Sequence, residues 1–439
     1  MYKVNKMTYV SAGVITAALI WQAAPATVRG GDNVILPKVV VVTSSFPKRI
    51  TEAKTTTTLS GSPARTPSGS VVSSTGATAP QRIVAAYVSR TNLGSYALEQ
   101  LDGTKLTHLI YAFVGVCGTG ARPSDATACQ SKQPLELAID SNVDSDMQRL
   151  AQFKARYPHV KIVISIGGGA GSQPFFGLTT DATATSRFVA SAAGMLQRYP
   201  VADGIDVDWE SPTSNGNFAD RQTFNNLLSS LRTQLNAMSA TSGKSFVLSI
   251  AVDTSSYLVN RIDYSTAQTY LDNVFAMTYD YYGDWSSQAG YQTALRNPAP
   301  GKGIQNLVVA GVPADKIVYG IAMYGRSWPS CTMNNGEPTS CGKGGGAITY
   351  KNLVSQAIGA SGQGINGFQV LYNANHGVYY LWNQTSRTFI SYDDPQGVLE
   401  AGSAANATGY AGLFSWQLTQ DNGAILTAMN SSVNPSITP

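Results

Sequence analysis

Histidine is scarce in this 439-residue chain. The three present, His108, His159 and His376, lie far apart and show no metal-ligand spacing with the cysteines, so no metal site and no cofactor is expected. Charge is thin as well: charged residues make up 13%, and 30 Lys+Arg against 26 Asp+Glu leave a net charge of +4. Nowhere do like charges gather into a block that could follow a phosphate backbone, which excludes nucleic acid as an expected partner. Long apolar runs are missing beyond the first residues, and cysteine is limited to four. What remains is a chain with 43% apolar residues, enough for one large globular domain with appendages.

The start of the chain has the pattern of an export signal. Lys3 and Lys6 precede an apolar stretch from about Val10 to Ala24, and Ala24-Pro-Ala26 has the small-x-small form of a cleavage site. Residues 1–26 are thus expected to be removed, leaving a secreted protein with no membrane attachment. An uncleaved anchor is the competing reading, although a stretch broken by Gln22 is short for a span. Export accounts for the cysteines too. Cys117 and Cys129, and Cys331 and Cys341, sit in stretches rich in Gly, Ser, Thr and Asn, as local disulfides in an oxidising compartment would. Pairing between neighbours is the simplest of three connectivities.

Residues 27–81 are expected to form a flexible segment and linker. Ser and Thr account for 14 of residues 51–80, with three large aliphatics among them, too few to bury a core. From Arg82 the texture changes. Short β-branched or apolar runs recur at 83–88, 106–114, 160–166, 204–209, 246–252, 274–279, 317–323 and 412–416, and most intervals can hold a helix, among them 146–157 and 224–237. Eight such units in βαβα order predict an α/β fold, a (β/α)8 TIM barrel over residues 82–430, followed by a short tail at 431–439. The seventh interval is too long for one helix. A small α+β insertion domain is expected there, at about 329–391, between strands seven and eight.

The fourth run carries the chemistry. In Asp203-Gly-Ile-Asp206-Val-Asp208-Trp-Glu210, acids alternate with Ile205, Val207 and Trp209. Strand side chains alternate faces, so Asp206, Asp208 and Glu210 share one face while the apolar residues pack on helices. Like charges so close raise one another's pKa, keeping a proton available for general-acid work near neutral pH.

This octet resembles the DxxDxDxE signature of family 18 of the glycoside hydrolases, the chitinase family, which ends strand four of a (β/α)8 barrel. Other segments resemble that family in the same order. Ser165-Ile-Gly167-Gly168 is similar to its SxGG ending strand three, Met277-Thr-Tyr279-Asp280 to its MxYD on strand six, and Tyr324-Gly-Arg326 to its YGR on strand seven. Trp416 is similar to the tryptophan that floors the site, and Phe389–Pro395 to the stretch that follows the insertion domain.

The resemblance implies a secreted, monomeric chitinase acting on chitin and N-acetylglucosamine oligosaccharides. It would retain configuration by a substrate-assisted path through an oxazolinium ion. Glu210 would protonate the glycosidic oxygen, Asp208 would orient the acetamido group, Asp206 would hold the shared proton in part of the cycle, and Tyr279 would hydrogen-bond the acetamido carbonyl. Gly167, Gly168, Met277, Asp280, Tyr324 and Arg326 would line sugar subsites, with Tyr87, Phe113, Trp285 and Trp416 as platforms for pyranose faces. Core packing is the competing reading for Tyr87 and Phe113. Deep-clefted members carry a Trp directly after SxGG, but here the chain reads Gly169-Ala-Gly171, so a stacking platform at a distal subsite is not expected. Two other functions fit the resemblance: a silent chitin-binding lectin, disfavoured by the intact acids, and an endo-β-N-acetylglucosaminidase on glycoprotein glycans, disfavoured by the insertion.

Overall fold

A computed structural model describes residues 82–179, 181–217 and 219–434; the expected signal, the linker and most of the tail lie outside them. Among the described residues, eight parallel strands close into a barrel. They are Ile83–Ser89, His108–Val116, Lys161–Gly167, Gly204–Asp208, Val247–Asp253, Asn273–Met277, Ile317–Ala322 and Gly412–Trp416. Each pairs with its neighbours in sequence, and the first pairs with both the second and the eighth, which leaves no free edge.

Period-two patterning sets the two sides of this wall. In strand one Val84, Ala86 and Val88 join the outer core against the helices, while Ala85 and Tyr87 join an inner core with Ile110, Val163, Phe275 and Phe414. Strand four does the same with different chemistry: Ile205, Val207 and Trp209 pack outward, and Trp209 lies between Phe175, Phe176 and Phe224. Gly204 opens that strand because a Cβ there would stand 2.2 Å from the Val247 carbonyl oxygen.

The helices run longer than expected, and in one of them a local cap sets the start. Asp140 accepts bonds from the Asn142 and Val143 amides and so starts Ser141–Arg156 one turn before the apolar pattern shows. Ala219–Ser242 likewise spans more than 224–237. No helix of the described residues is long and apolar enough to cross a membrane.

The insertion between strands seven and eight carries a five-stranded antiparallel sheet, in the order Gly346–Thr349, Tyr324–Trp328, Thr388–Tyr392, Val378–Asn383 and Phe368–Asn373. Tyr324-Gly-Arg326 therefore belongs to this sheet and not to barrel strand seven. The Met323 amide still bonds the Trp416 carbonyl, and one residue later the chain turns to pair with 346–349 and 388–392. The 389–392 stretch is also part of the sheet, so the helix that follows the insertion starts only at Asp394, which caps Pro395–Thr408. Trp328, Tyr380, Trp382 and Phe389 form the insertion's own core, and Asp393 ties it to the barrel by accepting the Ala322 amide at 2.8 Å.

Both disulfides join neighbours. Cys117–Cys129 closes a loop leaving strand two, and Cys331–Cys341 clamps a hairpin in the insertion.

Candidate active site

A cavity of about 330 Å³ opens at the carboxyl ends of the strands, where barrel enzymes keep their chemistry. Tyr87, Phe113, Gly168, Asp208, Glu210, Met277, Tyr279, Asp280 and Trp416 line it. Phe113 reaches it from a break in the register between strands two and three and stacks on Trp416 at 5.4 Å. Gly168, at φ +80°, makes room for that ring, since a Cβ would stand 2.5 Å from it.

The acids of strand four rise through different surroundings. Asp206 is fully buried and takes three hydroxyl donors, Tyr87 at 2.9 Å, Ser165 at 2.7 Å and Ser249 at 2.8 Å. Burial still raises its pKa, against those donors. Asp208 is 4% exposed, and its Oδ1 has no hydrogen-bond partner among the described residues. Burial, then the charges of Glu210 and Asp206, push its pKa well up.

Glu210 opens onto the cavity but has protein on its other sides. Its backbone amide donates to Ser172 Oγ at 2.8 Å, and that hydroxyl donates to the Gly168 carbonyl oxygen, so the loop after strand three fixes the residue's position. Burial raises its carboxyl to about 7, opposed by the Gly169 amide and aided by Asp280 and Asp253. The like charge expected from the neighbouring acids contributes at Asp208, whereas at Glu210 the like charges are Asp280 and Asp253, and desolvation is the larger cause at both.

Several expected subsite residues are buried in the wall, behind it or away from it. Tyr87 is 1% exposed and wedged edge-on against Phe275 and Phe414, so its hydroxyl serves Asp206 and its ring is not an open platform. Tyr324 and Arg326 are buried and both donate to Asp280 Oδ1 at 2.7 Å, holding that carboxylate from the rear. Gly167 lies under Asp208, its backbone folded so that a Cβ would stand 2.3 Å from the Asp208 carbonyl oxygen. Trp285 is 61% exposed outside the cavity, with the Arg326 guanidinium 4.4 Å from its ring. Residues the motifs did not single out do reach the cavity: Arg122, Gly169, Ala170 and Ala251 line it, and Ser172 and Ser249 hold the acids.

A closed (β/α)8 barrel with a file of acids ending in one accessible carboxyl of raised pKa, above stacked aromatic rings, is an arrangement suited to general-acid chemistry. The family model of Glycosyl hydrolases family 18 matches residues 83–421, and the chain belongs to that family. Among relatives, chitinase A of Pseudoalteromonas piscicida is 31% identical over 429 residues, covering 80% of this chain and 52% of that protein. This chain thus spans about half that relative's length. Among solved structures, a chitinase from Bacillus thuringiensis aligns with TM-score 0.70 and 26% identity, covering 80% of this chain and 70% of the other. A family 18 N-acetylglucosaminidase from Paenibacillus barengoltzii aligns with TM-score 0.68 and 26% identity, covering 80% and 99%.

Proposed function

We propose that the protein is a secreted chitinase that cuts β-1,4 linkages between N-acetylglucosamine units with retention of configuration, the substrate's own acetamido oxygen serving as nucleophile. The observation that carries this reading is the pairing of Glu210 with Asp208. One acid opens on the cavity with its proton held to about neutral pH, and beside it a buried carboxylate oxygen lacks a donor among the described residues. An acetamide N–H is the donor that oxygen needs, and accepting it would turn the acetamido carbonyl oxygen toward C1. Glu210 protonates the leaving oxygen, C1 closes with the acetamido oxygen to an oxazolinium ion, and water opens that ring from the opposite face with Glu210 taking its proton. No protein nucleophile is required. Asp206, saturated by three hydroxyls, holds charge and proton position below Asp208, and Tyr279 hydrogen-bonds the acetamido carbonyl. Phe113 and Trp416 give the pyranose a stacked floor. Two disulfides support an oxidising, extracellular setting.

The test is the first product's anomer by NMR on chitin oligosaccharides, with the sugar at the new reducing end of partly acetylated chitosan. A β-anomer and N-acetylglucosamine at that end are expected, together with competitive inhibition by a thiazoline mimic of the ring intermediate. An α-anomer, or cleavage after glucosamine as readily as after N-acetylglucosamine, overturns the mechanism. Release of oligomers from colloidal chitin, compared with deglycosylation of a glycoprotein, tests the substrate.

A further inference from the structure

The tripeptide Gly169-Ala-Gly171 follows the third strand where the family resemblance leads one to look for a large ring, and the structure shows what its smallness accommodates. A Cβ at Gly169 would stand 3.4 Å from Glu210 Oε1, and a Cβ at Gly171 would stand 3.3 Å from Cζ of Arg122, with Nε and Nη1 at 3.4 and 3.5 Å. The first distance is an ordinary contact that leaves no room for a larger group toward Glu210, and the second is tight, so Gly171 seats the guanidinium. Arg122 is delivered by the loop that the Cys117–Cys129 disulfide closes, and it forms part of the wall of the same cavity as Asp208 and Glu210.

Its placement is built from both sides. Nε donates to Asp125 Oδ2 at 2.9 Å. Asp125 is 2% exposed, and its other oxygen lies 3.7 Å from Arg90. Asp125 in turn fits only because position 115 is glycine, where a Cβ would stand 2.0 Å from its Oδ2. The guanidinium also sits 6.0 Å from the centre of the Phe113 ring, the ring that stacks on Trp416. Among the described residues Arg122 makes no other hydrogen bond, and its Nη2 is buried with no partner. An anchored cation with unused planar donors at a cavity wall is disposed to bind an acceptor.

We infer that Arg122 is a specificity-determining residue: it recognises the acetamido carbonyl of the sugar unit next to the one whose bond is cut, and rejects a glucosamine ammonium there. This rests on the chitinase reading. Chitin is neutral, and its amide carbonyl is the strongest acceptor it offers, whereas a deacetylated unit would set a positive charge against the guanidinium. The acetyl requirement at the cut itself belongs to the substrate-assisted chemistry; the requirement one unit away belongs to Arg122.

The full chain, Arg122→Gln and Arg122→Lys are compared on chitohexaose and on partly acetylated chitosan, with the units flanking each cut read by NMR and mass spectrometry of the products. The wild type is expected to show N-acetylglucosamine at the new reducing end and a second enrichment at one adjoining unit. Arg122→Gln should keep the first, lose the second and fall about 10- to 100-fold in kcat/KM on chitohexaose, mostly through KM. Arg122→Lys keeps the charge without the planar fork, so it should still reject glucosamine at the adjoining unit while binding chitohexaose more weakly. The proposal is overturned if the wild type has no preference beyond the new reducing end, or if Arg122→Gln keeps the adjoining preference. It is equally overturned if both variants lose thermal stability alike with unchanged product ends. Should Arg122→Gln not fold, KM on chitohexaose decides, and an Arg122→Lys value equal to that of the wild type overturns the proposal. Loss of the acetyl requirement at the new reducing end in the wild type would instead refute the chemistry and not the role of Arg122.

Discussion

The two ends of the barrel hold polar groups of the same kinds and treat them in opposite ways. At the amino ends of the strands a cavity of about 440 Å³, larger than the catalytic one, is lined by His108, His159, Lys161, Asp272 and Asn273 among others. There the groups are compensated. His108 is 6% exposed, its pKa is pushed down to about 3 by burial and by Lys161, and Nδ1 lies 2.8 Å from the Thr107 hydroxyl. Asp272 takes the Arg232 guanidinium and the Leu248 amide. Asp203 opens the acidic octet, yet it belongs to this end: Lys154, Lys244 and the Ile162 amide hold its pKa below the ordinary value even though burial alone would raise it. Five and seven residues further along the same chain segment, Asp208 and Glu210 form no ion pair among the described residues, and their pKa values rise. Acids a few residues apart thus shift in opposite directions according to whether a cation pairs with them. A large cavity alone is therefore a poor guide to the active site here.

The comparison breaks most sharply at Glu210. Glu210→Gln keeps the shape and removes the acid, so hydrolysis should fall about 10²–10⁴-fold while oligosaccharide binding survives. Activity above a tenth of wild type would return Glu210 to the scaffold class. Asp208→Asn should follow with a loss on the order of 10²-fold in kcat, since an amide offers the acetamide N–H a weaker and less directed acceptor.

A pH series sharpens the contrast without mutation. Because the carboxyl of Glu210 is raised to about 7, kcat/KM should decline above that pH as the proton is lost. The linked stability has a definite sign. Between about pH 4, where an unfolded Glu titrates, and about 7, the folded chain keeps a proton that the unfolded chain releases, so Glu210 costs stability increasingly as pH rises through that window. Thermal melts should then place Glu210→Gln above wild type at pH 8, with the gap closing at pH 4. A gap that widens toward acid would contradict the raised value.

The smallest effect on catalysis is expected at the other end. Asp203→Asn leaves Lys154 and Lys244 without their shared counter-charge and should cost about 1–3 kcal/mol of stability, while kcat stays within about threefold of wild type. A hundredfold loss of kcat in a folded variant would mean that the first acid of the octet is chemical after all.

Legibility in the sequence followed the range of the interaction. Strand positions were readable because alternation is local, and the eight runs lie within a few residues of the eight strands. The shared face of Asp206, Asp208 and Glu210 was readable for the same reason. The role of Tyr87 was not: its hydroxyl meets an acid 119 residues away, and an aromatic ending a strand looks the same from sequence whether it faces a sugar or supports a carboxylate. Arg122 carried no signal at all, lying in a loop with no periodicity. The bare Gly169-Ala-Gly171 signalled the lack of a stacking ring but not what stands in its place.

The sequence by itself therefore determined the alternating β and α units and the acids on one side of strand four, each set by spacing along the chain, while for the cysteines it left neighbour pairing as the simplest of three connectivities. Tertiary contacts decided the rest. Closure of the barrel brought Tyr87, Ser165 and Ser249 from strands one, three and five around Asp206 and left Asp208 Oδ1 without a donor among the described residues, while the insertion sheet drew Tyr324 and Arg326 behind Asp280 and the Cys117–Cys129 loop seated Arg122 against Gly171. Those outcomes depend on which strands become neighbours and on how much water they exclude, and a pKa follows from both, so no stretch of sequence holds them alone.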